Sequence, residues 1–371
     1  MITAAQAGAL TLAWVGFNLP PQEAWAQTID PAHAASQRLS VYRDDDANLV
    51  ITHLTEAESA VGAHGRLSGS FLVDVISSAS VDLVASATEH YDEKRISTTL
   101  DGAWTFGEVE ARAGYGYTHE DDFIGHGLSA GFSREFNAKN NVAALDYSLL
   151  LAKIGRRSDP TFSESATTHG VEASISQVLT SRLTSTLGYG LNITQGYQAK
   201  PYRYAHVGNV IAEALCVSCE PERLPHLRRR HAVWTSGRYY LGWATAVEWT
   251  YRYYWENWGI TAHTPELRLY HELGEAWDVS ARYRLTRQSK ASFYGDVYDE
   301  RHRYASGDRE LGALTGHLLG GTVGYRLKLH RADTSLLWEG KFDWFHYDYQ
   351  DFAALPQRNG TVVETAVGVE F

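Results

Sequence analysis

Residues 245–257, TAVEWTYRYYWEN, alternate between two kinds of side chain along their whole length. One face of this segment is aliphatic and aromatic, and it carries Val247, Trp249, Tyr251, Tyr253 and Trp255. The other face is polar and charged, and it carries Glu248, Thr250, Arg252 and Glu256. A period of two residues is that of a β-strand, whereas a helix would repeat every 3.6 residues. The segment therefore predicts a strand whose two faces meet different surroundings.

The same alternation recurs along most of the chain after residue 65. Clear examples are 108–118, 183–194, 277–286, 334–344 and 359–371. The connections between such segments alternate in length. Short turns are predicted at 106–108, 136–140, 179–182, 242–245, 273–276 and 329–333. Longer connections are predicted at 78–93, 119–124, 156–167, 199–227, 258–264, 290–311 and 350–358.

Strict alternation of short and long connections is typical of an outer-membrane barrel, which has short periplasmic turns and longer extracellular loops. The predicted fold is therefore all-β: one transmembrane, antiparallel, up-and-down β-barrel, with apolar faces toward lipid and polar faces toward the interior. Counting back from the last strand gives fourteen strands after residue 65. Short strands at 38–44 and 47–61 raise the count to sixteen, which we prefer. The alternative keeps fourteen strands and makes 27–61 a plug or periplasmic segment.

Composition agrees with this fold class. Aromatic residues make up 12% of the 371 residues, with 22 Tyr and 11 Trp. Tyr and Trp concentrate where hydrocarbon meets water, and barrels use them as girdles. The net charge of −11 argues against nucleic-acid binding, which needs a basic face. Beyond the N-terminus there is no apolar run long enough for a membrane-spanning helix.

Both ends of the chain carry targeting features. Residues 7–19 form a short apolar run and 24–26 an A-x-A box, so we expect 1–26 to be a cleaved signal peptide, although its first residues lack Lys and Arg. The barrel would then occupy 27–371. At the other end, an amphipathic strand closes on Phe371, which resembles the signal read by the barrel-assembly machinery. The expected location is the outer membrane of a Gram-negative bacterium, with lipopolysaccharide and other outer-membrane lipids as partners.

Two strings resemble motifs of an uncharacterised family of outer-membrane barrels of unknown function. The first is SVYRDDD at 40–46, which contains Tyr42, Asp44, Asp45 and Asp46. The second is DVISSAS at 74–80, which contains Asp74, Ser77, Ser78 and Ser80; many family members have Gly in place of Ser78. The resemblance implies the barrel fold and leaves the cargo open.

Both motifs have two interpretations. Asp44, Asp45 and Asp46 supply the carboxylates that Ca²⁺ prefers, but they lack the EF-hand spacing. We favour a solvated turn between two strands. Asp74 and its neighbouring serines form either a polar site or the hydrogen-bonded end of a strand.

The cysteines, the histidines and one basic run each have a functional and a structural interpretation. Cys216 and Cys219 are the only cysteines. We expect a local disulfide, with half a metal site or free thiols as alternatives. The 16 His residues are scattered, which favours polar loop or girdle roles over a metal-binding surface. The basic run at 228–231 either binds lipopolysaccharide phosphates or is a solvated strand entry.

The charged face of the last strands predicts a lumen of mixed sign, which either pairs its charges or segregates them. Its expected members are Glu248, Arg252, Glu266, Arg268, Asp278, Arg282, Arg284, Arg326, Lys328, Glu339, Lys341 and Asp343. The leading functional hypothesis is a pore or narrow channel for small solutes or ions. The alternative is a structural barrel that partners an envelope lipoprotein or a periplasmic redox protein. The chain has no hydrolase or nucleotide-binding motif and no expected cofactor, so a barrel-embedded hydrolase is the least favoured hypothesis.

Overall fold

The computed structural model describes residues 32–78, 91–208, 219–329 and 334–371. Sixteen antiparallel strands close into one barrel. With all strands numbered in chain order, the barrel consists of β1 (His33–Asp44), β2 (Asn48–Val61), β3 (Gly65–Ser78), β4 (Tyr91–Phe106), β5 (Val109–Glu120), β6 (Phe123–Phe136), β7 (Asn141–Ile154), β8 (Glu164–Thr180), β9 (Leu183–Gly196), β12 (Leu227–Gly242), β13 (Thr245–Glu256), β14 (Thr261–Leu273), β15 (Trp277–Gln288), β17 (Leu314–Leu329), β18 (Thr334–Tyr349) and β19 (Gln357–Glu370).

The preferred strand count of sixteen is confirmed. The barrel closes where β1 pairs with β19, in a register that sets Ala34 opposite Glu370 and Asp44 opposite Gly360. The alternative of a plug over 27–61 is wrong for residues 33–61, because these form β1 and β2 of the wall. The proposed signal peptide lies outside the described residues.

The two ends of the barrel differ. The start of β1, the end of β19 and the described two- to four-residue turns lie at one end, called here the turn end. The other end, called the loop end, carries eight connections: L1 (45–47), L2 (79–90), L3 (121–122), L4 (155–163), L5 (197–226), L6 (257–260), L7 (289–313) and L8 (350–356). L2 lies outside the described residues.

L5 and L7 contain structure that the sequence did not predict. β10 (Tyr204–Val207) pairs with β11 (Cys219–Pro221) and, in parallel, with β16 (Val297–Tyr298). This three-stranded loop sheet joins L5 to L7 beyond the barrel wall. L7 then makes a short 3₁₀ helix, Arg309–Leu311, whose N-terminus is capped by the Asp308 carboxylate.

The strand alternation places apolar side chains outward and polar ones inward. Outward residues such as Trp249, Leu267 and Val367 are 39–55% exposed, as expected of a face that meets lipid. The interior has its own apolar cluster near the loop end, formed by Tyr42, Val50 and Phe345. Among the described residues, no helix is long and apolar enough to cross a membrane.

Candidate functional site at the loop end of the lumen

The residues predicted to line the lumen lie on the inward face of β13, β14, β15, β17 and β18. Their charges meet in pairs, either on adjacent strands or across one intervening strand. Arg284 Nε lies 2.5 Å from Glu266 Oε2, and Arg282 donates to both carboxylate oxygens of Asp343. Arg326 reaches Glu370 at 2.8 Å. Of the two arrangements left open by the sequence, the wall therefore has paired charges.

The tip of L7 enters the loop end of the lumen. Arg309, in the 3₁₀ helix, is 2% exposed, and its Nη2 donates to Asp46 Oδ2 of L1 at 2.6 Å. The next residue, Glu310, accepts a hydrogen bond from the Tyr349 hydroxyl at 3.1 Å and lies 3.3 Å from Arg358 Nη1. A loop between β15 and β17 is thus held by charge to side chains on β18, β19 and L1.

The base of L7 is held differently. One buried apolar cluster joins L6 to L7. It contains Trp258 and Ile260 of L6 and Ala291, Tyr294 and Leu311 of L7. L8 adds polar contacts, because Lys290 Nζ lies 3.0 Å from Asp351 Oδ2 and the Tyr294 hydroxyl donates to the Asp351 carbonyl. L7 is therefore held by an apolar cluster and by charged side chains, and its 3₁₀ helix contributes to both: Arg309 and Glu310 form the charged tip, and Leu311 packs in the apolar cluster at the base.

L5 continues this contact network across the mouth. Arg203 and Lys200 of L5 both pair with Asp308 of L7, the second at 2.7 Å. The Tyr202 hydroxyl of L5 accepts a hydrogen bond from the Arg157 backbone N–H of L4 at 2.5 Å, and Arg157 also pairs with Asp121 of L3. Contacts therefore run from L1 through L7, L5 and L4 to L3. We call this set of loops the cap.

Burial sets the protonation behaviour of the cap. Burial and the neighbouring Asp308 carboxylate raise the pKa of Glu222, which accepts a hydrogen bond from the Ser306 hydroxyl. Burial opposes ionisation of Asp308 as well, but the charges of Arg203 and Lys200 outweigh it and lower the pKa of that carboxyl. Burial raises the pKa of the Tyr202 hydroxyl to about 12.

The three consecutive carboxylates of the first motif have separate partners. Asp44 accepts hydrogen bonds from the Asn48 and Tyr42 side chains, and it closes the β1–β2 turn. Asp45 accepts from the backbone and side-chain amides of Asn359 on β19. Asp46 pairs with Arg309. The interpretation as a turn agrees with this, but a solvated turn is wrong, because Asp44 and Asp46 are buried.

The second motif leads to a cluster that the sequence did not reveal. Asp74 is fully buried in the lumen wall, where it accepts from the Thr52 hydroxyl and pairs with Arg95. The side chains of Ser77, Ser78 and Ser80 lie outside the described residues. A group of three buried carboxylates lies close to Arg95. Its members, Glu93, Glu120 and Asp122, have carboxylate oxygens within 4.8 Å of one another. Oxygen ligands of this kind suit a hard divalent cation. The adjacent acidic residues at 120–122 were the available sequence signal.

One of the two cysteines and the whole basic run at 228–231 lie within the described residues. Cys219 is disulfide-bonded, and Cys216, the only other cysteine, lies outside the described residues. The run at 228–231 is the start of β12, so its side chains alternate. Arg228 points inward and makes two hydrogen bonds to Glu256, whereas Arg229 points outward. The prediction that the whole run is a solvated strand entry is therefore wrong, because Arg228 faces the lumen.

Comparison with solved structures shows similarity of fold alone. The structure titled "Bacterial polysaccharide outer membrane secretin" is 11% identical, with a TM-score of 0.53, and the match covers 93% of this chain and 100% of that one. The outer membrane protein OpdK from Pseudomonas aeruginosa is 9% identical, with a TM-score of 0.45 and coverages of 91% and 97%. The siderophore receptor PirA from the same organism is 10% identical, with a TM-score of 0.46, and the chain spans 62% of its length.

No curated protein matches the sequence. One family model does match, over residues 155–360, which is more than half of the chain. This region lies after both motifs that carried the resemblance noted from the sequence. The match and the closed barrel confirm that resemblance: the chain belongs to the family described as "Protein of unknown function (DUF3570)", an uncharacterised family of outer-membrane barrels.

Proposed function

We propose that this barrel is a channel for small solutes or ions in the outer membrane of a Gram-negative bacterium, and that the tip of L7 is its gate. In this proposal the loop end faces the cell exterior and the turn end faces the periplasm. The observation that carries it is the Arg309–Asp46 pair, which holds the tip of a long loop against the wall inside the mouth. The proposal assigns the barrel no catalytic step.

The different contacts at the two parts of L7 support a gate over a permanent plug. The base packs in an apolar cluster, which holds it by burial of apolar surface. The tip is held by ion pairs, whose net contribution is small because desolvation of both charges offsets their attraction. Water and mobile ions can replace those pairs if the side chains of Arg309 and Glu310 move away from the wall, while Leu311 and the rest of the base remain packed.

Single-channel recording in planar bilayers tests the proposal. We compare the wild-type barrel with Arg309→Ala and with Arg303→Ala, an exposed arginine of the same loop. Wild type should show brief, infrequent openings, and Arg309→Ala should raise the open probability about tenfold or more, as expected for loss of an interaction worth about 1.4 kcal/mol in the closed state. Arg303→Ala should behave as wild type.

Two other outcomes would contradict the gate. Steady open conductance in the wild type, unchanged by Arg309→Ala, would mean that L7 does not close the mouth. Silence in the wild type, in Arg309→Ala and in a barrel with residues 299–310 replaced by a short glycine-serine linker would mean that the lumen is sealed. The structural or interaction barrel would then be the better hypothesis.

A further inference from the structure

Five tyrosine–histidine pairs repeat on the outward face of the barrel, near the loop end. In each, a Tyr hydroxyl lies 2.7–2.8 Å from Nδ1 of a His on the next barrel strand. The pairs are Tyr115–His126, Tyr147–His169, Tyr189–His231, Tyr251–His263 and Tyr283–His317. We call them the Tyr–His belt.

The belt lies at one level because its geometry is the same every time. Tyr189 is in register with Val233, and its partner His231 is opposite Leu191, two residues further toward the loop end. The same two-residue diagonal relates Tyr283, Leu285 and His317 on β15 and β17. Tyr side chains at this level suit a membrane interface, where an apolar ring and a polar tip are both satisfied.

Each pair leaves one polar atom of the ring available. The tyrosine occupies Nδ1, and Nε2 of these five rings has no hydrogen-bond partner among the described residues. When the Tyr hydroxyl donates to Nδ1 of a neutral imidazole, the ring proton is on Nε2. The belt can therefore present a row of N–H donors to whatever lies outside the barrel.

A row of basic side chains lies just beyond the belt, closer to the loop end. Its members are outward-facing and exposed: Arg43, Lys94, Lys153, Arg229 and Arg287. Arg229 is two residues beyond His231, and Arg287 is two residues beyond Leu285, which faces His317. None of the five side chains has an ion pair or hydrogen bond with a described residue. We call them the outer basic row.

Three exposed carboxylates near this level have partners among the described residues: Asp348 lies 3.2 Å from His346, Asp45 accepts from Asn359, and Asp121 pairs with Arg157. Arg228, which is next to Arg229 in the chain but faces the lumen, makes two hydrogen bonds to Glu256. An unpartnered cation beside a lipid-facing surface favours an anionic headgroup as its counter-charge.

We propose that the outer basic row and the Tyr–His belt form a binding ring for a phosphorylated glycolipid of the outer leaflet. The lipid phosphates contact the outer basic row, where Arg can bind phosphate through two parallel N–H bonds. The Nε2–H groups of the belt contact the polar atoms that join headgroup to acyl chains, and the acyl chains lie on the apolar face below. This site does not depend on the proposed channel function.

Native mass spectrometry of the detergent-solubilised barrel tests this ring with bis-phosphorylated lipid A and its dephosphorylated form as probes. The test variant combines Lys153→Gln, Arg229→Gln and Arg287→Gln. The matched control combines Arg134→Gln, Lys139→Gln and Arg182→Gln, three exposed basic residues near the turn end. A heat-modifiable gel shift identical to wild type shows that each variant has folded.

We expect wild type and control to retain the phosphorylated lipid and to release the dephosphorylated one. The test variant should bind the phosphorylated lipid about a hundredfold more weakly, as expected for three lost headgroup contacts. Equal retention of both lipids by the wild type would overturn the proposal, as would unchanged affinity in the test variant. Displacement of the lipid by millimolar inorganic phosphate would also contradict it, because it would indicate a simple anion site.

Discussion

The two ends of the lumen carry similar charges in different surroundings. At the loop end, the side chains of Arg358, Asp46 and Arg309 are at most 2% exposed, under the cap. Toward the turn end, the side chains of Arg66 and Arg38 are 42% and 37% exposed, although Glu364, the partner of Arg38, is only 6% exposed. The difference teaches that the cap shields both partners of an ion pair from solvent, whereas these two arginines of the wall remain accessible to it.

The largest expected effect comes from removing an arginine at each end. Arg358→Ala should lower the free energy of unfolding by about 3 kcal/mol, because it would leave a cavity beside the rings of Phe345, Tyr347 and Tyr349 and take an ion-pair partner from Glu310. Arg66→Ala should lower it by less than about 1 kcal/mol, since its pair with Glu58 is screened by solvent. Urea unfolding in detergent, followed by Trp fluorescence, measures both. Equal losses would remove the distinction between the ends.

A smaller effect is expected in the middle of the wall, where a glycine makes room for an ion pair. A Cβ on Gly320 would overlap the Asp343 carboxylate and come within 3.2 Å of Arg282 Nε. Gly320→Ala should therefore displace the Arg282–Asp343 pair and destabilise the barrel by about 1–3 kcal/mol. Gly102→Ala is the matched control, because a Cβ there meets no atom within 4 Å. The temperature at which the folded gel band disappears reports both; a similar shift in the two variants would contradict the role of Gly320.

The cap should weaken through Glu222 as pH rises above the ordinary range of a carboxyl group. Its pKa is raised in the folded cap, so its contribution is fully present below the unfolded pKa and is lost as pH rises through the folded pKa. Asp308 behaves in the opposite way: its lowered pKa makes its contribution present above the unfolded pKa, and acidification through the folded pKa removes it. Glu222→Gln should abolish the loss that accompanies rising pH, an effect on the order of 1 kcal/mol.

Hydrogen exchange of the β10 amides, corrected for intrinsic pH dependence, measures this loss. Glu220→Gln is the control, since Glu220 is less buried and pairs with Arg223 and Arg301. A loss with rising pH that persists in Glu222→Gln would show that another group controls the cap.

The smallest effect is expected at a turn, far from the cap. Trp243 and Ala244 form a two-residue turn with φ of +49° and +54°, a conformation that favours glycine. Ala244→Gly should raise the free energy of unfolding by up to about 1 kcal/mol, whereas Gly242→Ala, at φ +100°, should lower it. Thermal unfolding should shift in opposite directions for the two variants, and channel gating should not change. A change in gating would mean that the two ends are coupled.

The strand count and the facing of the wall were predictable because both depend on local spacing. A period of two residues assigns each side chain to a face, and the alternation of short and long connections fixes strand direction. That was enough to put Arg282 and Asp343 on the same side. The same period of two residues applies to the basic run, where it places Arg228 and Arg229 on opposite faces of the strand.

The cap and the belt could not be predicted, because their contacts join distant parts of the chain. Arg203 and Asp308 are far apart in sequence and meet only through the loop sheet. Asp46 and Arg309 form a pair although most of the barrel strands lie between them along the chain. The Tyr–His pairs needed the register of each strand pair, since a slip of one residue would move either partner to the lumen. Asp44 and Asp46 were expected in solvent, because no local pattern indicated that Arg309 of L7 pairs with Asp46 or that both carboxylates are buried.

The repeated Tyr–His geometry also bears on how such a barrel arises. Each pair joins a strand that runs toward the loop end to the next barrel strand, which runs back toward the turn end. The five two-strand units that carry a pair are consecutive around the wall from β5 to β17. Units that share a register and a surface pattern can be copied as whole hairpins without disturbing the hydrogen bonds of their neighbours. Gain or loss of one such hairpin would change the circumference of the barrel and leave its depth in the membrane unaltered. The belt is thus the trace expected of a wall that grew by duplication, two strands at a time.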